Sequence, residues 1–363
     1  MTTCLHASES DALHARVRAL IAAFENGSAM PESFDVLAAA IARYQGKHVA
    51  GYQRLLAARG VDGARIARAV DAPAVPTDAF KLTRISAFPA TETTVTFRTS
   101  GTTLGQRGSH AFRNTGTYDR AAESFARHAL LDGMKTPLPV LVVGPSPRAL
   151  PDSSLTHMFG LFVSRFGTNG ETRSFFIDDD VIDLAALDER VARAINEQTP
   201  VLVCGTSFAF VHLLDGADGV TFRLPRGSRL MQTGGFKGKS REVDASEFAR
   251  ELARFFALDE ADVRSEYGMT ELSSQCYGRC GGARVYVEPP WARGGPVDPI
   301  TLAPVADGEI GIARIEDLAN VDSAFAIVNQ DRVRRVSGGF ELLGRTPGAP
   351  PRGCSIAIDE MLS

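Results

Sequence analysis

The sequence predicts an α/β fold: layered α/β sheet and helix over most of the chain, with a small β subdomain near the end. Three observations predict it. Short β-branched apolar runs alternate with amphipathic helical segments between residues 95 and 268, the pattern of strands buried under helices. Glycine-rich turns stand at the ends of two of those strands. Past Gly278 the chain changes to short β-like runs punctuated by Pro289, Pro290, Pro296, Pro299 and Pro304, with no long helix.

Ahead of the alternating region, residues 11–24 place Leu13, Val17, Leu20, Ile21 and Phe24 on one stripe, the spacing of an amphipathic helix. A second helix starts at Ser33, a good N-cap, turns Phe34, Leu37, Ile41 and Tyr44 inward and weakens at Gly46. A third ends near Gly60, and VDGARIARAV gives a short one before Pro73 and Pro76 break the pattern. Residues 1–75 therefore read as a helical layer.

ETTVTFRTS then reads as a strand or hairpin, and TYDRAAESFARHALL as a helix with Tyr118, Ala122, Phe125 and Ala129 on one face. Pro139 to Gly144 has the look of a strand buried on both faces. SFFID, the helix DLAALDERVARAINEQ, the strand PVLVCG and an apolar helix through Phe208 to Leu214 continue the alternation. Arg229 to Thr233 is a further strand, SREVDASEFARELARFFAL a strong amphipathic helix, and Val263 to Gly268 a strand running into a turn. The expected layout is an α/β nucleotide-binding core over 76–278, a mainly β subdomain over 279–345 and a short flexible tail over 346–363 carrying Cys354.

Composition narrows the function classes. With 363 residues and 44% hydrophobic content the chain can bury a sizeable core. A net charge of −4 with scattered basic residues gives no electrostatic footprint for nucleic acid. No run of about 18 apolar residues appears, so no membrane span is expected. The opening MTTCLHASESDALHAR carries acidic residues and no apolar stretch, unlike a signal peptide, so a cytoplasmic location is expected. Cys4, Cys204, Cys276, Cys280 and Cys354 are odd in number and scattered, which argues against a disulfide framework. Cys276 and Cys280 lack the second ligand pair of a zinc site and read as ordinary thiols.

The stretch Thr99-Ser100-Gly101-Thr102-Thr103-Leu104-Gly105-Gln106-Arg107-Gly108 combines hydroxyls, glycines and a cation behind the β-prone Val95-Thr96-Phe97. Phosphate binding asks for that set, because glycines let backbone N–H groups turn toward an anion while hydroxyls and a cation add to them. It is not the Walker pattern, since no Gly-Lys-Ser/Thr follows at the required spacing. Taken by itself, the stretch reads equally well as an ordinary Ser/Thr/Gly turn. A second glycine-rich turn, Gly234-Gly235-Phe236-Lys237-Gly238-Lys239, also follows a strand, where open α/β sheets bind ligands.

The set is more specific than its members. The first loop, the turn at 234, Tyr267-Gly268-Met269-Thr270-Glu271, Gly308-Glu309-Ile310-Gly311, Asn329-Gln330-Asp331 and Gly344-Arg345 follow one another in an order and spacing that resemble the adenylate-forming superfamily of acyl-CoA synthetases, adenylation domains and luciferase. Within it, the Gly-Gly-aromatic-Lys turn, the overall length and the terminal Arg352-Gly353-Cys354 resemble the acyl-protein synthetase (LuxE-like) family. The resemblance implies the large N-terminal domain of that fold, without the mobile C-terminal domain that carries a catalytic lysine in most members.

The same resemblance implies roles for particular residues. Thr99, Ser100, Gly101, Thr102, Thr103 and Gly105 cradle the ATP phosphates; Thr270 bonds the α-phosphate; Glu271 holds Mg²⁺, a hard cation suited to carboxylate oxygen. Gly234 and Gly235 lie flat on the adenine, with Tyr267 stacking on its other side, and Gly268 is among the nucleotide-binding residues. Asp331 accepts from the ribose hydroxyls, and Arg345 contacts ribose or phosphate or is surface charge. His157 stands beside the substrate carboxylate or is a half-buried core histidine. With the lysine-bearing domain absent, Lys237 or Lys239 is the candidate cation for the pentavalent phosphate. Cys354 is the thiol that accepts the acyl group from acyl-AMP, in a flexible segment with Arg352 as the nearby cation.

The expected function is ATP- and Mg²⁺-dependent activation of a carboxylic acid as acyl-adenylate, thioester formation on Cys354, and transfer to an acyl-CoA-reductase-like protein or an acyl or peptidyl carrier protein. Two rivals stand beside it: an acyl-CoA or aryl-CoA ligase using free coenzyme A, and a non-catalytic nucleotide-binding carrier.

Overall fold

The structure, a computed structural model, describes residues 2–101, 106–168, 173–217, 221–234, 245–279, 284–306, 308–345 and 350–363, and the side chains of all of these except 2–6 and 245. In chain order its helices are α1 (Thr2–Glu25), α2 (Phe34–His48), α3 (Ala50–Ala58), α4 (Ala79–Leu82), α5 (Gly116–Phe125), α6 (Ser154–Phe166), α7 (Leu184–Asn196), α8 (Ser207–Gly216), α9 (Ala245–Phe256) and α10 (Arg352–Leu362). The strands are β1 (Val75–Pro76), β2 (Val95–Arg98), β3 (Ser109–Phe112), β4 (Val140–Val143), β5 (Ile177–Asp178), β6 (Val181–Ile182), β7 (Leu202–Thr206), β8 (Arg229–Thr233), β9 (Val263–Tyr267), β10 (Cys276–Arg279), β11 (Val285–Val287), β12 (Ala292–Val297), β13 (Ile310–Asp317), β14 (Ala326–Val336) and β15 (Gly339–Arg345).

These elements fall into two compact units. One comprises Met1–Ser124, Met269–Gln275 and Val287–Ser363, the other Phe125–Gly268 and Cys276–Tyr286. The division cuts across the expected blocks 1–75, 76–278, 279–345 and 346–363. The physical reason lies in long-range pairing: β1 runs parallel to β14, Val75 beside Ile327, which joins the N-terminal helices to the late strands.

In the first unit β12 to β15 form an antiparallel meander, with Ala292 paired to Asp317, Ile310 to Arg334 and Val333 to Leu342. The tight turn into β15 uses Gly338 at φ +83°, a conformation that favours glycine. Helix α2 begins as its sequence predicts, the Ser33 hydroxyl accepting from the N–H of Val36 at 3.3 Å. The stripe of α1 is buried at Leu13, Val17, Leu20 and Ile21. A polar knot ties these helices down: Asp322 accepts from Ser10 (2.7 Å), Tyr44 (2.9 Å) and His14 Nε2 (3.1 Å), while His14 Nδ1 meets Thr117 at 2.9 Å. Burial pushes the Asp322 carboxyl up, but the bonds from His14, Ser10 and Tyr44 outweigh it and hold the group below its ordinary value.

In place of the flexible tail expected over 346–363, residues 352–362 form helix α10 and bury Gly353, Cys354, Ala357, Ile358 and Met361. Arg54 donates to the Met361 carbonyl at 2.6 Å and Arg59 to Glu360 at 2.9 Å. The proline- and glycine-rich approach to the helix hides an apolar face at i, i+3, i+4 and i+7 spacing, which is what docks it.

In the second unit β4, β7, β8 and β9 are parallel and β10 is antiparallel to β9. Leu141, Val143, Val203, Leu230, Phe210, Phe248 and Phe256 share one buried cluster, so the apolar strands and the inward stripes of α8 and α9 build the core together. Helices α6, α7 and α8 each open on a side-chain cap, from Ser153, Asp183 and Thr206. No helix among the described residues is long and apolar enough to cross a membrane.

Candidate functional site

The glycine-rich loop joins β2 to β3, which pair from Val95 beside Phe112 to Arg98 beside Ser109. Its ends are closed by its own residues. Gly108 N–H donates to Thr99 Oγ1 at 2.9 Å, and Arg107 donates to the carbonyl oxygens of Thr99 (2.7 Å) and Arg98 (3.3 Å). The Thr99 hydroxyl and the Arg107 guanidinium thus shape the loop. Ser100 and Gly101 are exposed at its start, and a Cβ built on Gly101 meets no described atom within 4 Å. Thr102, Thr103 and Gly105 lie outside the described residues.

Thr270 and Glu271 belong to the same unit, on an irregular segment tied to two other parts of it. His110 on β3 places Nδ1 2.8 Å from the Thr270 carbonyl oxygen. Asn320 donates to the Glu271 carbonyl at 2.7 Å, and Asp317 accepts from Ser273 N–H (2.8 Å) and the Ser274 hydroxyl (2.7 Å). Glu271 itself is buried.

Asp331 sits on β14 where the register with β15 shifts, directly across from Arg345. Such bulges re-aim side chains. Asn329 grips both ends of the aspartate: its Oδ1 accepts from Asp331 N–H at 2.8 Å and its Nδ2 donates to Asp331 Oδ2 at 3.1 Å. Nδ2 also lies 3.7 Å from Met269 Sδ, next to Thr270. Within one unit, therefore, the segment at 269–271 meets both the glycine-rich hairpin and the Asp331 strand.

The second unit holds the other candidates. Thr206, Thr233 and Glu266 are in register at one end of its parallel strands, so Gly234 and Tyr267-Gly268 emerge at the same edge. Gly234 has φ +79° with no described atom within 4 Å of where a Cβ would stand, and its carbonyl accepts from Ser207 at 3.0 Å. The Tyr267 ring is buried beside Tyr286, with centroids 5.5 Å apart. Glu266, bonded by the Thr233 hydroxyl, is pushed up to about 7 by burial. His157 is half-buried in the first turn of α6. Gly235, Lys237 and Lys239 lie outside the described residues.

Cys354 differs most from expectation. It is 3% exposed in the first turn of α10, and burial together with the Asp78 carboxylate pushes its thiol up to about 11. Arg59 is the cation that opposes this shift, in the place expected for Arg352. Asp78 is in turn paired with Lys81 at 2.5 Å, and a Cβ built on Gly108, at the end of the loop, would stand 3.5 Å from Lys81 Cγ.

His110, Asp317, Asn320 and Asn329 carry the arrangement and are absent from the roles expected from sequence. Asn329 stands within a quoted motif, but the others bond partners far along the chain, and no spacing signals them.

The chain is similar to known proteins. A long-chain-fatty-acid–luciferin-component ligase from Aliivibrio fischeri is 26% identical over 268 residues, 71% of this chain and 68% of that protein. The 2-hydroxyisobutyryl-CoA ligase in its postadenylation state, in complex with 2-HIB-AMP, shares the fold, with a TM-score of 0.61 over 85% of this chain and 66% of that one at 15% identity. The chain spans about half (49%) of ATP-bound MatB from Rhodopseudomonas palustris, at 17% identity over 71% of this chain and a TM-score of 0.47. The model of the family described as "Acyl-protein synthetase, LuxE" matches residues 3–363. The chain belongs to the acyl-protein synthetase (LuxE) family and is an acyl-adenylate-forming ligase.

Proposed function

We propose that this protein activates a carboxylic acid with ATP, takes the acyl group onto Cys354 as a thioester, and passes it to the thiol of an acyl-CoA-reductase-like or carrier protein. The observation that carries the reading is the meeting, in one unit, of Thr270-Glu271 with the glycine-rich hairpin through His110 and with Asp331 through Asn329 and Met269. The name of the Aliivibrio fischeri relative favours a long-chain fatty acid as substrate.

In the first step a carboxylate oxygen attacks the α-phosphorus, the bond to the bridging oxygen breaks, and pyrophosphate leaves. Backbone N–H groups at Ser100 and Gly101 and the Thr270 hydroxyl meet the phosphate oxygens, and Asp331, oriented by Asn329, accepts from the ribose hydroxyls. Gly234 and Tyr267 flank the adenine, Arg345 reaches ribose or phosphate, and His157 meets the substrate carboxylate. Glu271, a hard carboxylate oxygen donor beside Thr270, would hold Mg²⁺ shared with the substrate phosphates. That ion supplies charge neutralisation on the triphosphate.

In the second step the Cys354 sulfur attacks the acyl carbon, AMP leaves, and the thiol proton passes to water. The first turn of α10 must lift for this, since the thiol is buried and protonated at neutral pH. Acid-dependent ATP–pyrophosphate exchange tests the first step, and its absence with a full panel of carboxylic acids rejects the proposal.

The burial of Cys354 favours one second reading, a ligase that delivers the acyl group to free coenzyme A. It requires coenzyme-A-dependent thioester formation that is indifferent to Cys354→Ser.

A further inference from the structure

We infer that His110 is a positioning residue for the adenylation step: its imidazole ties the hairpin of the glycine-rich loop to the Thr270–Glu271 segment and fixes these two phosphate-handling stretches against each other. The inference rests on the roles proposed above for those stretches.

His110 lies on β3, across from Phe97 on β2, and is 2% exposed. A carbonyl oxygen only accepts, so the 2.8 Å contact with Thr270 O puts the proton on Nδ1 and selects one tautomer. Phe112 lies against the ring with centroids 4.2 Å apart, and Phe80 meets it edge-on at 5.7 Å. Burial pushes the imidazole down to about 4, so it is neutral and its one donor keeps a fixed direction across the ordinary pH range.

A core histidine bonded to any nearby carbonyl would have the same burial. What distinguishes His110 is the pair of elements it joins. Residues 270–271 belong to neither helix nor strand, and the segment is held by Asp317 at the end of β13 and Asn320 in the loop after it. His110 adds the tie to the glycine-rich hairpin, across 160 residues of sequence. Charge moves onto the α-phosphate as the carboxylate attacks, and donors on both stretches must face it together. Misplacement by about 1 Å costs about 100-fold in rate.

The test compares His110→Asn with His110→Gln in acid-dependent ATP–pyrophosphate exchange. The Asn amide donor lies near the place of Nδ1, whereas the Gln donor reaches toward the place of Nε2. His110→Asn is expected to keep kcat within about tenfold of the parent, the scale of one altered hydrogen bond. His110→Gln is expected to lose about 100-fold in kcat with the KM for ATP little changed. A purely structural histidine would respond to the two alike, so equal kcat values overturn the inference, as does a loss confined to KM. Failure of His110→Asn to fold also overturns it, because core packing would then be the residue's role.

Backbone hydrogen exchange across 269–275 gives a readout that needs no turnover. It is expected to accelerate in His110→Gln and not in His110→Asn, and unchanged exchange in both overturns the inference. Should the parent protein exchange no pyrophosphate with any acid, the proposed function falls, and hydrogen exchange alone judges the tie. If His110→Gln does not fold, His110→Ala takes its place in both assays with the same expectation.

Discussion

The N–H of Gly353 donates to the carbonyl oxygen of Pro299 at 3.0 Å, which pins the residue before Cys354 to the segment that follows β12. The fit leaves no room for a side chain, since a Cβ at 353 would stand 2.7 Å from the Ile300 carbonyl oxygen and 2.9 Å from Leu302. Gly353→Ala is therefore expected to loosen the start of α10, at a cost of about 1–3 kcal/mol for overpacking. Peptide mapping after maleimide labelling should show faster modification of Cys354 with a lowered melting temperature. Unchanged labelling and melting would mean that the helix is not latched there.

Glu266 makes stability depend on pH. Its folded-state value lies near 7, above the ordinary 4.5, so its protonated form favours folding. That contribution is fully present below the unfolded value and is lost as pH rises from 4.5 through about 7. The interval corresponds to about 3 kcal/mol at most. Glu266→Gln, which still accepts from Thr233, should be more stable than the parent at pH 8 and little different at pH 4. Urea titrations at the two pH values check this, and parallel curves for parent and variant would contradict it.

Glu271→Gln separates chemistry from folding. One contact that holds residue 271 in place uses its backbone carbonyl and Asn320, which the substitution leaves alone, and glutamine keeps the size of the side chain. Pyrophosphate exchange should fall by about 100- to 1,000-fold, the scale of losing one charge-stabilising group at a reacting phosphate. The melting temperature should stay near that of the parent. Retained exchange would take Glu271 out of the metal-binding role.

Asn320→Leu should do the reverse and act first on stability. It removes the donor from the buried carbonyls of Glu271 (2.7 Å) and Ala324 (3.0 Å). Each buried acceptor left without a partner costs about 1–3 kcal/mol. Chemical denaturation is expected to show a loss in that range or above, and a variant as stable as the parent would show that the segment finds other partners.

The α/β class was legible because its signal is local. Val140 to Val143, Leu202 to Thr206 and Arg229 to Thr233 are apolar, β-branched or flanked by glycine, and each is a strand in the parallel sheet of the second unit. Caps such as Ser33 are equally local, and the hydroxyl acts as its position suggests. Helix α10 was not legible, because Pro350, Pro351 and Gly353 mask the start of a short apolar face. His110, Asp317 and Asn320 were not legible for a different reason. Their function consists of bonds to residues 270–274, which only the folded chain brings to them. The same holds for Cys354: burial and the sequence-remote Asp78 push its thiol up, the opposite direction from Arg352 alone, and the equally remote Arg59 only partly offsets them.

The most direct measurement is the intact mass of the protein after incubation with ATP, Mg²⁺ and a panel of carboxylic acids, compared between the parent and Cys354→Ser. Self-acylation after adenylation requires pyrophosphate release in both proteins and a hydroxylamine-sensitive mass gain in the parent alone, equal to one acyl group. Pyrophosphate release without a mass gain in either protein would contradict acyl transfer to Cys354 and place the acceptor thiol outside this chain.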